Sequence, residues 1–86
     1  MPFEWEAANI AKHGVSFSLA LRIFDGPVMT AEDTRADYGE RRMISVGRAA
    51  GAVILTVVHT DRQGRTRLIS ARPASTRERR KYDEAP

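Results

Sequence analysis

The sequence predicts an α+β fold: an N-terminal helical hairpin packed on a small antiparallel sheet, with a short C-terminal helix. Three observations carry this. Apolar residues recur at helical spacing up to Gly26-Pro27. From residue 28 onward, β-branched and alternating runs are separated by turns that contain glycine. Beyond Pro73, the stretch "STRE" (75–78) has the form of a helix-start capping box. The 86 residues make one domain, 1–86. A chain of this size buries roughly 60–65% of its unfolded surface, enough for one sheet and a few helices.

Taken in order, "PFEW" (2–5) spaces Phe3 and Trp5 two apart and reads as a short strand or extended anchor. "EAANIAKHG" (6–14) reads as a helix of about two turns, with Ala7, Ile10 and Ala11 inward and Gly14 as its stop. "SFSLALRIFDGP" (16–27) is a clearer helix. Ser16 is its N-cap, and Phe17, Ala20, Leu21 and Phe24 lie on one stripe. "VMTAED" (28–33) reads as an edge strand, and "TRADYGE" (34–40) as a polar turn. "RMISVG" (42–47) alternates weakly. "AVILTVVH" (52–59) is apolar on both faces and therefore central. Gly51 marks the turn before it and "DRQG" (61–64) the turn after it. "TRLISAR" (66–72) is the last strand of an antiparallel meander. A helix of about 8–10 residues follows the Ser75–Glu78 box.

The net charge of +3 is unevenly spread. Residues 1–58 hold 6 basic and 7 acidic side chains, whereas residues 59–86 hold 8 and 4. Twelve of the 14 basic residues are arginine, whose planar fork matches phosphate or carboxylate. The basic end is the footprint of a nucleic-acid binder or of a protein with an acidic partner. There is no cysteine, which excludes disulfides and thiolate metal sites and suits a reducing cytosol. No apolar run approaches the ~20 residues of a membrane span. The acidic start "MPFEWEAAN" lacks the order of a signal peptide. The expectation is a cytoplasmic protein with no membrane role.

Several side chains are candidates for chemistry. In a regular final strand Arg67 and Arg72 emerge on opposite faces, and a bulge near Ala71 brings them closer. Glu78 and Tyr82 are four apart and share a helix face, with Arg79 beside it. They read either as a proton-handling carboxylate and phenol or as a cap and a packed ring. Lys12 and His13 sit where cations favour a helix C-terminus, which is a full structural account. The functional account is proton transfer by His13. His59 reads as structural or surface. The two histidines show no metal-binding spacing, and no phosphate-loop or dinucleotide fingerprint occurs, so no cofactor or metal is expected.

The order of these motifs resembles the BrnT family of type II toxins. The segments are "FEWE…N..KHGVSF", "A..IFD.P", "D…DYGERR…VG", "VILTVVHTDR" and "RLISAR.A...ER..Y". They run from Phe3 to Tyr82. The resemblance implies a RelE/ParE-like ribonuclease that halts translation. It implies neutralisation by a BrnA-like antitoxin with a ribbon-helix-helix region, in a heterotetramer built on an antitoxin dimer. Operator DNA is then met only through the antitoxin. It further implies metal-independent cleavage, in which the ribose 2′-OH attacks the adjacent phosphate. In that scheme Arg67 and Arg72 hold phosphate, Arg62 and Arg79 add RNA contacts, and Glu78, Tyr82, His13 and Lys12 handle protons. The chain departs from the family pattern in a shorter run between Trp5 and Asn9, in Met43, in Pro73 after Arg72, and in Ser18-Leu19. The reading from a different class is a catalytically inactive module that docks an antitoxin or RNA. A DNA-binding regulator ranks last, because no recognition helix is evident.

Overall fold

The computed structural model describes residues 3–35, 37 and 39–84, and side-chain surroundings from residue 7. Helix α1 spans Phe3–His13 and α2 spans Phe17–Ala20, and a 3-10 segment, Leu21–Asp25, continues directly from α2. Four strands follow: β1 (Val28–Glu32), β2 (Met43–Ala50), β3 (Val53–Arg62) and β4 (Arg65–Pro73). Helix α3, Thr76–Glu84, ends the described chain. The sheet is antiparallel throughout, in the order β1-β2-β3-β4. The β3–β4 turn is centred on Gln63 and Gly64, both at positive φ, the geometry of a tight hairpin turn. The edge strand at 28 and the interior strand at 53 are as expected.

The N-terminal half differs from its sequence reading in three ways. "FEW" is the first turn of α1, not a strand, so the helix runs 11 residues instead of about two turns. The side chains of Phe3 and Trp5 lie outside the described surroundings. Ala7 and Ala11 are exposed and Ile10 is 45% exposed, while Asn9, between them, is buried. Leu21 and Phe24 are 48% and 36% exposed, and Ile23 takes the inward place with no accessible surface. The reason is the change of helix type at Leu21. A 3-10 turn repeats every three residues, so the stripe begun by Phe17 and Ala20 continues at Ile23.

The register defines the two faces of the sheet. Leu55, Val57 and His59 alternate onto the inner face, against Phe17, Ala20 and Ile23. Gly47 permits the close approach of the 3-10 segment, since a Cβ there would lie 2.8 Å from Ile23 Cβ and 2.9 Å from Val28 Cγ1. Ile54, Thr56 and Val58 alternate onto the outer face and are also buried. That face receives α3, which carries no buried residue of its own.

Candidate functional site

The strand that ends in Arg72 is not regular. His59 pairs with Leu68 but Val58 pairs with Ser70, so Ile69 is an extra residue, a β-bulge. Its effect on side is decisive. Thr60 pairs with Arg67 and Thr56 with Arg72, and residues 60 and 56 share the outer face. Both arginines therefore stand on the outer face, although a strand without the bulge would separate them. The bulge falls at Ile69, two residues before the position considered from the sequence.

Arg72 is joined to α3 by the cap itself. The hydroxyl of Ser75 accepts from the Glu78 N–H at 3.2 Å, and the Glu78 carboxylate accepts from the Ser75 N–H at 2.8 Å. That carboxylate also takes both Nη groups of Arg72, at 2.7 and 2.9 Å, and the hydroxyl of Thr56 at 3.0 Å. The Arg72 guanidinium, chiefly, holds the Glu78 pKa at about 2, against an ordinary 4.5; partial burial acts in the opposite direction, and Ser75 and Thr56 add to the lowering. Nη1 also donates to the Pro73 carbonyl at 3.3 Å, so Nε–H and one Nη2 N–H of Arg72 are left to a ligand. Its side chain is 37% exposed.

Tyr82 shares the helix face of Glu78 but does not meet Arg72 through its hydroxyl. It donates to the Pro27 carbonyl at 2.8 Å, tying α3 to the start of β1. Arg79, Arg77, Arg80 and Lys81 are exposed along the same helix, and Arg79 reaches the Ala52 carbonyl at 3.5 Å. Arg62 and Arg67 lie at the other end of the outer face. With Arg65, Thr60, Gln63 and Glu40 they line a depression of about 220 Å3.

Lys12 and His13 form the last turn of α1. Gly14, at φ +71, ends the helix and turns the chain toward Val15. One turn before His13, the buried amide of Asn9 donates from Nδ2 to the carbonyls of Val15 and Ala71, both at 2.8 Å. Its Oδ1 accepts from the Ala71 N–H at 2.9 Å. The helix with Lys12 and His13 is thus fastened beside the residue that precedes Arg72.

Sequence reasoning missed Asn9, and it missed Thr56 as a Glu78 donor. A polar residue between inward-facing expectations was the available signal for Asn9. His59 is structural, at 2% exposed. Its Nδ1 lies 2.8 Å from Asp61 Oδ1 and its Nε2 lies 2.8 Å from Ser45 Oγ, which lies 2.8 Å from Thr30 Oγ1. Phe24 meets its ring edge-on at 5.2 Å. Ser45 has no accessible surface, so this chain of hydrogen bonds fixes the core and offers no nucleophile to a polymer.

Among the described residues, no helix is long and apolar enough to cross a membrane. No curated protein matches the chain. One solved structure, the ribonuclease toxin BrnT of Brucella abortus, is similar at 28% identity and a TM-score of 0.61. The similarity covers 85% of this chain and 90% of that one. The family described as "Ribonuclease toxin, BrnT, of type II toxin-antitoxin system" matches residues 4–78. With the outer-face arginines, the capped α3 and the Lys12-His13 turn in place, the chain belongs to the BrnT family of ribonuclease toxins of type II toxin-antitoxin systems.

Proposed function

We propose that this toxin cleaves RNA on the outer face of its sheet, by metal-independent attack of the ribose 2′-OH on the adjacent phosphate. The observation that carries this reading is the bulge at Ile69, which sets Arg67 and Arg72 on one face. Arg72 then meets the scissile phosphate, pre-oriented by Glu78, and stabilises the charge that develops there. Arg67, with Arg62 at the hairpin and Arg79 on α3, holds the flanking backbone. RNA on this track binds mainly through phosphate, so its affinity falls steeply with salt.

Proton transfer falls to His13 and Lys12. A carboxylate with a pKa of about 2, held by Arg72, Ser75 and Thr56, is a weak base, so Glu78 acts by positioning Arg72. Tyr82 fixes the angle of α3 through Pro27. The fold belongs to the RelE/ParE-like class, and cleavage of cytoplasmic RNA halts translation. The antitoxin is of the BrnA kind, with a ribbon-helix-helix region. The complex is a heterotetramer on an antitoxin dimer, and it reaches operator DNA only through that antitoxin.

The test compares wild type with Arg67→Ala and Arg72→Lys for cleavage of purified RNA and for growth arrest. Both variants are expected to lose cleavage, while the wild type cleaves without added divalent metal. Cleavage by Arg67→Ala at the wild-type rate overturns the assignment. If the wild type binds RNA and the antitoxin but never cleaves, the chain is the inactive docking module instead. The bidentate pairing of Arg72 with Glu78, which engages both Nη groups, is the observation that favours that second reading.

A further inference from the structure

From residue 7 onward, the described part of α1 is held to the sheet by a polar side chain. Apolar faces normally dock a helix. Here Ala7, Ala8, Ile10, Ala11 and Lys12 are exposed and His13 is half-buried, and Asn9 is the one buried α1 side chain among the described residues. Its amide uses both donors and its oxygen. Toward Ala71 it reproduces the paired N–H and C=O contacts that a neighbouring strand would supply, closing the free edge of β4 at that point. Toward Val15 it fixes the chain reversal that follows His13. Three pieces therefore meet at one amide: the last turn of α1, the loop after it and the residue before Arg72.

We propose that Asn9 is a positioning residue for RNA cleavage, holding His13 and Lys12 at a fixed place relative to Arg72. His13 lies four residues after Asn9, on the same helix face. By sequence His13 and Arg72 are 59 residues apart, and Asn9 replaces that path with two hydrogen bonds to Ala71. A displacement of about 1 Å between an acid–base group and the phosphate costs on the order of a hundredfold in rate. The inference rests on the cleavage reading above, in which His13 and Lys12 move protons.

A double-mutant cycle tests it, with single-turnover cleavage at saturating RNA and RNA affinity measured on folded protein. Asn9→Ser is expected to lower the rate constant by about tenfold or more while RNA affinity changes by less than about twofold. In a His13→Ala background the same substitution is expected to cost much less, because only Lys12 is left to misplace. If Asn9→Ser does not fold, Asn9→Gln keeps the amide but shifts its anchor points by one methylene, and its rate is read the same way. Ile23→Val is the control for a merely structural loss, expected to keep the full rate per folded molecule. Losses that add across the cycle, or a full rate in the Asn9 variant, overturn the inference alone. A full rate in both His13→Ala and Lys12→Ala overturns the proton-transfer reading and this inference together.

Discussion

The two faces of the sheet are buried to similar degrees but held by different forces. On the inner face Leu55 and Val57 pack against Phe17, Ala20 and Ile23, all nearly inaccessible. On the outer face Val46, Ile54 and Thr56 are buried beneath a helix with no fully buried residue, whose Glu78 and Tyr82 are half-buried. Helix α3 is held by the Glu78 carboxylate and the Tyr82 hydroxyl. The inner face thus carries the stability of the fold, and the outer face carries charged groups in fixed orientation. On the proposed reading this surface meets phosphate and has to keep its arginines accessible, and polar fastening allows that where apolar packing would cover them.

The sharpest way to break this contrast is Leu55→Ala, expected to cost about 2–5 kcal/mol in chemical denaturation through lost burial and a cavity. Cleavage per folded molecule should be unchanged. Gly47→Ala follows, at about 1–3 kcal/mol, because its Cβ would overlap Ile23 and Val28. On the outer face, Glu78→Gln should cost about 1–2 kcal/mol at neutral pH, after allowance for solvent screening. Folding lowers the Glu78 pKa from 4.5 to about 2, so this stabilisation is complete above pH 4.5 and is lost as the pH falls toward 2. Denaturation midpoints of wild type and Glu78→Gln should therefore converge in acid, and a constant gap would contradict the geometry. The smallest stability effect is expected for Arg67→Ala, within about 0.5 kcal/mol for an exposed side chain. Its loss of cleavage should nonetheless be among the largest. Ranked by stability and by activity, these substitutions should run in opposite orders.

What the sequence disclosed divides along the same line. The interior strand at 53, the edge strand at 28 and the Ser75–Glu78 cap were readable because each is a local signal: β-branching, spacing between turns, and hydroxyl and carboxylate three apart. The first turn of α1 was misread because Phe3 and Trp5 at period two imitate a strand. The inward stripe at Leu21 and Phe24 was misread because a change from α to 3-10 pitch leaves no mark in the pattern. The site was less legible. Residue types at 67, 72, 78 and 82 pointed to it, but the side on which Arg67 stands depends on a bulge set by pairing with β3. Asn9 was hidden because its partners, at Ala71 and Val15, are backbone groups that any sequence supplies.

The bulge also makes chain length a carrier of information. From Arg67 to Arg72 there are five steps, an odd number, which in a flat strand would place the two on opposite sides. With Ile69 removed, Arg67, Leu68, Ser70, Ala71 and Arg72 alternate strictly out and in, and both arginines keep their side. A one-codon deletion at 69 is therefore expected to be tolerated, shortening the track between the arginines by about 3.3 Å, whereas a deletion that the bulge cannot absorb, within residues 55–58 of β3, would turn half a strand inside out. Insertions and deletions should accordingly accumulate at 69 before they appear anywhere else in the sheet.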